Sequence, residues 1–174
     1  NIVAVVTQCN GFSVKDLGVM IEPETIVEEA QKCNADVIGL SGLITPSLTE
    51  MINVVKLLES KGMSTPVIIG GATTSALHTA VKIAPEYPHG IVICAHAAAD
   101  NPGIIRRLLA DDGKEYIAEL NAQQKIIRDN YNRREADKSL LTVEESRKRR
   151  FIKNQELVAV PRSTEQVLLY SQLK

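Results

Sequence analysis

The sequence lacks several features that would assign it to particular classes of protein. Its 174 residues carry a formal net charge of only −1, whereas nucleic-acid-binding proteins normally show a strong basic excess. The cysteines, Cys9, Cys33 and Cys94, include no Cys-x-x-Cys pair, which argues against a disulfide framework and a zinc knuckle. No apolar run approaches the roughly 20 residues that span a bilayer, and no basic-then-apolar leader opens the chain. We therefore expect a cytoplasmic protein with no nucleic-acid or membrane partner, in which each cysteine is buried.

Strand-like and helix-like segments alternate along most of the chain. The strand-like segments are FSVKDLGV, ADVIGLSG, TPVIIGG and HGIVICA, and the helical segments after them are PETIVEEAQKCN, SLTEMINVVKLLESKG, TTSALHTAVKIA and NPGIIRRLLAD. This order predicts an α/β fold with a doubly wound parallel sheet and right-handed crossovers. The unbroken apolar run in ADVIGL predicts a strand buried on both faces. Ser47 is expected to cap the second helix in a capping box with Glu50, and Gly62 to end that helix.

Small residues and hydroxyls collect where the predicted strands end. In a doubly wound sheet the loops at the carboxyl ends of the strands form the binding edge. Four loops qualify, at residues 16–18, 41–42, 70–75 and 94–97. The Gly70-Gly71 pair is typical of a cradle for an anion or a nucleotide tail, although a simple turn out of a strand explains it equally well. Hydroxyls on two consecutive loops favour a binding site over two unrelated turns.

Two segments carry a resemblance to a known family. DLGVMIEPETIVEEAQKCNADVIGLSGLITPSL and VIIGGATTSALHTAVKI resemble the cobalamin-binding domain of the cobalamin-dependent methionine synthases. The resemblance implies a flavodoxin-like domain over residues 1–112, in which the nucleotide tail of cobalamin enters a slot beside the sheet. It also implies methyl transfer from methyltetrahydrofolate to homocysteine, with methylcobalamin as the cofactor. Zinc is expected only in a homocysteine domain, which this sequence does not include.

The resemblance also assigns roles to individual residues. The residues that it places around the cofactor are Ser41, Leu43, Thr45, Gly70, Gly71, Ala72, Thr73 and Ala97. It places Ser47 in a hydrogen-bond relay behind the lower axial ligand of the cobalt. The family's axial histidine lies in an Asp-x-His-x-x-Gly motif, which these residues do not contain. NIVAVVTQCNGF resembles the helix after that motif, so the central first strand is expected to be missing. No catalytic residue and no metal ligand is assigned, and His78, His89 and His96 are expected to be structural or incidental.

The last third of the sequence changes character. Residues 113–154 are expected to form a helical extension and a linker, because LLTVEESRKRRF resembles the approach to a reactivation domain. The basic run Arg147–Arg150 is typical of a solvated helix face. Residues 155–174 are unassigned, and their ELVAV and QVLLY runs are candidate strands for the vacant sheet position. The chain begins inside an apolar periodic segment, as expected of a piece of a longer enzyme. Its expected partners are that enzyme's homocysteine, folate, cap and reactivation domains, without which it is expected to be inactive.

Two alternatives remain open. One is a non-catalytic binding module of the flavodoxin or response-regulator kind, which leaves LSGLITPS unexplained. The other is the cobalamin domain of a mutase or of another corrinoid methyltransferase, against which GGATTS and the linker favour methionine synthase.

Overall fold

Residues 2–137, the described part of the first of two compact units, form a three-layer α/β fold around a parallel sheet. The computed structural model describes residues 2–138 and 141–150. Strands β1 (Ile38–Ser41), β2 (Val67–Gly70) and β3 (Val92–Cys94) pair in parallel in the order β1-β2-β3. The α-helices are α1 (Ile2–Cys9), α2 (Pro23–Lys32), α3 (Pro46–Ser60), α4 (Ala76–His78), α5 (Asn101–Leu109), α6 (Gly113–Ala136) and α7 (Val143–Lys148). The helix α4 continues as a π-helix over Thr79–Ile83 and a 3-10 turn over Ala84–Glu86. The predicted α/β fold class, a flavodoxin-like parallel sheet with helices, is confirmed.

The central strand β2 carries the core on both of its faces. Val67 and Ile69 pack with side chains of α2 and α3, whereas Ile68 packs on the other face with side chains of α5 and α6. All three residues are at most 3% exposed, because a parallel strand between two neighbours is covered by helices above and below. This central position anchors the loop that follows β2.

The helix α6 covers the outer edge of β3. The Gln124 side-chain amide donates to the Val92 carbonyl oxygen at 2.6 Å, and Gln124 itself is buried. One turn later, the Arg128 guanidinium donates to the Ala80 carbonyl oxygen in the π-helix at 3.2 Å. Gln124 therefore provides at this edge a hydrogen bond that a neighbouring strand would otherwise make. The first compact unit of the chain ends at Asp137 and includes α6.

The opposite edge of the sheet differs from the prediction in two ways. The strand β1 is not buried on both faces: Ile38 is buried, but Gly39 and Ser41 are exposed. The amides of Ile38 and Gly42 donate toward β2, so the alternating backbone groups of Gly39 and Ser41 face the outer edge. No strand among the described residues pairs there. Burial on both faces needs a neighbour on each side, and β1 has a described neighbour only on the β2 side.

The segment FSVKDLGV, predicted to be a strand, is irregular instead. Residues 12–18 have no regular secondary structure, and residue 19 lies in a bend. The Asp16 carboxylate accepts a hydrogen bond from the Gly18 amide at 2.9 Å, and Gly18 has a φ of +94°. This turn interrupts the extended conformation that apolar periodicity alone predicts.

The ends of α3 are partly as predicted. Gly62 has a φ of +66°, and the Met63 amide donates to the Leu58 carbonyl oxygen at 3.0 Å, so the predicted glycine stop is confirmed. The predicted capping box of Ser47 and Glu50 is wrong. The helix begins at Pro46 with Thr45 as its N-cap residue, which puts Ser47 inside the first turn. Proline favours the first helical position, since its ring sets a helical φ and it has no N–H to satisfy.

Several smaller expectations can be compared with the structure. Cys9 and Cys33 are exposed and Cys94 is half-buried, so the expectation of buried cysteines is wrong for the first two and only partly met by Cys94. Cys9 and Cys33 lie at helix ends, where they pack against few neighbours.

Within residues 2–138 and 141–150, no helix has the length and the apolar character needed to cross a membrane. The run Arg147–Arg150 is exposed, as predicted. The candidate strands ELVAV and QVLLY lie outside the described residues.

Glu29 of α2 forms an ion pair with Lys15 of the irregular segment, which should make the stability of the fold depend on pH. Its carboxylate accepts hydrogen bonds from Lys15 and from Lys32, which lower the pKa of Glu29 from 4.5 to about 2. Because the folded-state pKa is depressed, this stabilisation is present above about pH 4.5 and is lost as the pH falls toward 2. We expect Glu29→Gln to lower Tm at pH 6 and to converge with the parent protein near pH 2, as measured by circular dichroism. Glu28→Gln is the matched control, because Glu28 lies 3.9 Å from Lys32. An equal pH-dependent loss in this control would contradict the assignment.

Candidate functional site

The carboxyl ends of β1 and β2 bring two loops side by side. We call residues 41–47 the first loop and residues 70–75 the second loop. Their starting points are neighbours, because Ser41 pairs with Gly70 in the parallel register. The Gly42 amide donates to the Gly70 carbonyl oxygen at 2.9 Å and extends the ladder beyond the strands. The two loops therefore share one edge of the sheet.

Glycine is required where the two loops touch. Gly71 has a φ of +114°, and a Cβ atom on it would lie 2.1 Å from the Gly42 carbonyl oxygen. A Cβ on Gly42 would lie 2.9 Å from Met51 Cε and 3.1 Å from Ser47 Cβ. The first loop is thus held between the second loop and the first turns of α3. The Ser41-Gly42 pair was visible in the sequence as small residues after a strand, but this close contact is visible only in the fold.

The hydroxyl groups of the second loop form hydrogen bonds within the protein. The Thr73 hydroxyl donates to the Gly42 carbonyl oxygen at 3.2 Å, and the Thr74 hydroxyl donates to the Gly71 carbonyl oxygen at 3.0 Å. The Ser75 hydroxyl accepts the His78 amide at 3.1 Å and caps α4. These bonds rigidify the second loop and join it to the first.

The hydroxyl groups of the first loop form no such hydrogen bonds with the described residues. The side chains of Ser41, Thr45 and Ser47 make no hydrogen bond to any residue that the structure describes. Ser41 and Thr45 are exposed, and Ser47 is half-buried. These three hydroxyls are therefore available to a ligand.

Two bulky aliphatic side chains accompany the free hydroxyls. Leu43 is 77% exposed and Ile44 is 61% exposed. No side chain in the segments SGLITPS and GGATTS is ionisable at neutral pH. Apolar contacts with a few hydrogen-bonding groups among them are typical of sites for small organic ligands. The two loops therefore offer apolar surface and hydroxyl groups to a ligand, and no ionisable side chain.

Backbone amides add a possible anion contact. The amides of Gly71 and Ala72 donate no hydrogen bond to residues within the described part of the chain, and both residues are exposed. Free amides beside a glycine with positive φ can bind the oxygens of a phosphate.

The third loop, residues 95–97, completes the same edge. The Ala95 amide donates to the Ile69 carbonyl oxygen at 2.8 Å, and a Cβ on Gly70 would lie 3.6 Å from the Ala95 carbonyl oxygen. Ala97 is exposed, and its amide donates to Asp100 at 2.8 Å. The remaining predicted loop, residues 16–18, follows no strand, so the expectation that a strand end places it at this edge is wrong.

The three histidines lie in different settings. His78 is in α4, and its Nε2 atom is buried without a hydrogen-bond partner among the described residues. His96 is exposed on the third loop. His89 precedes β3 at the opposite end of the sheet, where hydrogen bonds from its ring and amide lower the pKa of Glu59. Nearby, burial and then the Glu59 charge raise the pKa of Tyr87 to about 12. No group of three or more metal-ligating side chains occurs within residues 2–138 and 141–150.

Comparison with known proteins identifies related domains. Residues 1–100 match the family described as the B12 binding domain. The fold is similar to the crystal structure of the methanol:cobalamin methyltransferase complex MtaBC from Methanosarcina barkeri, with a TM-score of 0.59. The two chains are 24% identical, and the match covers 71% of this chain and 44% of that chain. This likeness concerns the fold alone, and the matched region is less than half of the MtaBC chain.

The contact between the two loops leads to a prediction about stability. We expect Gly71→Ala to destabilise the protein by about 2 to 4 kcal/mol, because the new Cβ would displace the Gly42 peptide and strain a left-handed backbone. Gly18→Ala is the matched control, since Gly18 has a φ of +94° but open space around it. It should lose only about 1 kcal/mol. Urea unfolding measures both changes. Equal losses in the two variants would show that the contact with Gly42 is unimportant.

Proposed function

The chain belongs to the B12-binding domain family, and we propose that its first and second loops bind the nucleotide tail of cobalamin. The observation that carries this proposal is the set of Ser41, Thr45 and Ser47 hydroxyls, which bond to no described residue, beside the exposed Leu43. These groups lie at the carboxyl edge of a parallel sheet, where ligands of such folds bind.

The chemistry of the tail matches the two loops part by part. Its dimethylbenzimidazole base is flat and apolar with few polar atoms, which suits Leu43 and the hydroxyls of Ser41 and Thr45. Its phosphate is anionic, which suits the free amides of Gly71 and Ala72. Thr73 and Gly70 belong to the second loop, and Ala97 is exposed at this edge on the third loop. Apolar contact supplies most of the affinity in such a site, and each polar atom of the ligand needs a partner once water is excluded.

The chain's own residues supply binding and orientation. When bound, cobalamin supplies a cobalt centre that accepts and donates a methyl group. Ser47 is half-buried against Gly42, and its hydroxyl bonds to no described residue, so it would be able to relay a hydrogen bond to a group that holds the cofactor. We assign no catalytic residue and no metal ligand to this chain, and we expect cobalamin to bind weakly and without a spectrum of histidine ligation.

We propose further that the chain is the cobalamin-carrying module of a methionine synthase. The segments LSGLITPS and GGATTS, which form the two loops, support this reading because they carry the sequence resemblance. Its partners would then be the homocysteine, folate, cap and reactivation domains of the same enzyme, and zinc would belong to the homocysteine domain. The likeness to MtaBC favours a second candidate, the corrinoid module of another methyltransferase.

An assay of methyl transfer by the full-length enzyme separates these two candidates. We expect methionine to form when the chain, within its full-length enzyme, is supplied with homocysteine and methyltetrahydrofolate. Methyl transfer from methanol without transfer to homocysteine would favour the second candidate.

Filling the space beside the first loop should reduce cobalamin binding. We expect Ser41→Leu and Thr45→Leu each to weaken binding about tenfold or more, because added volume in a close-fitting site produces strain and removes a hydrogen-bonding group. Titration followed by visible absorption measures the affinity. Thr49→Leu is the matched control, since Thr49 is an exposed hydroxyl residue of α3 beyond the first loop. Unchanged affinity in both loop variants would rule out this site.

A further inference from the structure

Thr73 connects the two loops through a single acceptor. Its hydroxyl donates to the Gly42 carbonyl oxygen at 3.2 Å, and its amide approaches the same oxygen at 3.5 Å. In the reverse direction, the Gly42 amide donates to the Gly70 carbonyl oxygen at 2.9 Å. The backbone of Gly42 is therefore held by the second loop at both its amide and its carbonyl oxygen.

Gly42 is also the chain neighbour of two exposed residues of the first loop. Gly42 lies between Ser41 and Leu43 in the chain, and a Cβ on Gly42 would touch both Thr73 Oγ1 and Ser47 Cβ at 3.1 Å. A shift of this peptide would therefore change the positions of the first-loop hydroxyls relative to the amides of Gly71 and Ala72.

Other hydroxyls near Thr73 do not make this connection. Thr74 donates to Gly71 within the second loop, and Thr79 donates to Ser75 within the turn that begins α4. Among the hydroxyl bonds within the described residues, only that of Thr73 passes from the second loop to the first. Its oxygen is committed to the protein, unlike the hydroxyl of Ser41.

We propose that Thr73 is a positioning residue, which holds the first loop against the second and so sets the spacing of the proposed cobalamin site. It acts by ordering the two loops before the ligand arrives. This inference rests on the proposed function for its effect on affinity, but the connection itself exists without any ligand. A site that is already ordered loses less affinity to conformational entropy on binding.

The test compares Thr73→Val, Thr73→Ser and Thr74→Val in the full chain. Valine keeps the shape of threonine and removes its hydroxyl, whereas serine keeps the hydroxyl. Thr74→Val removes a hydroxyl whose hydrogen bond stays inside the second loop, so it is the matched control. Two quantities are measured: amide hydrogen exchange without ligand, and the affinity for aquocobalamin.

Without ligand, we expect the Gly42 amide to exchange about 2 to 10 times faster in Thr73→Val, which corresponds to the loss of one hydrogen bond. We expect exchange near the parent rate in Thr73→Ser and Thr74→Val. Aquocobalamin should bind about 2 to 10 times more weakly to Thr73→Val and recover most of its affinity in Thr73→Ser.

The two measurements distinguish failure of this inference from failure of the proposed function. Unchanged exchange of Gly42 in Thr73→Val would overturn the positioning role, whatever the affinity. Faster exchange together with parent-like affinity would also overturn it, since the connection would then not shape the site. If the parent chain binds no aquocobalamin at all, the proposed function fails, and the positioning role for that site fails with it even if exchange is faster.

Discussion

The candidate site depends on one backbone contact, the approach of Gly71 to the peptide of Gly42. A side chain at position 71 would place a carbon atom 2.1 Å from the Gly42 carbonyl oxygen, so the two loops can meet only through a glycine. The contact brings the first loop, whose hydroxyls bond to no described residue, against the second loop, whose Gly71 and Ala72 amides donate to no described residue. Its rigidity comes from β2, whose residues are buried on both faces of the sheet. The core thus fixes the second loop, and the second loop positions the first.

The two edges of the sheet differ in what covers their backbone groups. At the β3 edge, the buried Gln124 side chain bonds to Val92 and the edge is covered by α6. At the β1 edge, the backbone groups of Gly39 and Ser41 face outward, and no described strand pairs with them. Ser41 is therefore both the last residue of β1 and the first residue of the candidate site. Any segment that pairs with β1 would lie directly beside the first loop.

Much of the fold could be predicted from the sequence, because the alternation of apolar strands and amphipathic helices is a local pattern. The helix stop at Gly62 needed only knowledge of left-handed glycine. The strand predicted in FSVKDLGV failed because the turn at Asp16 interrupts extension, and periodicity does not detect such a turn. The cap at Ser47 failed because the helix begins at Pro46, so its N-cap residue is Thr45, two residues before Ser47. Of the site, the loops were predictable from glycines and hydroxyls at strand ends. Which hydroxyls are free and which are committed, as with Ser41 and Thr73, depends on contacts between distant residues.

The central claim is that the two loops recognise the nucleotide tail of cobalamin. Binding of cobalamin and of cobinamide, which has the corrin ring but lacks the nucleotide tail, tests this claim most directly. Both can be titrated into the protein and followed by visible absorption or calorimetry. The account predicts that cobalamin binds and that cobinamide binds at least tenfold more weakly, because it offers the loops no base and no nucleotide phosphate. Equal binding of the two corrinoids, or binding of cobinamide alone, would contradict it.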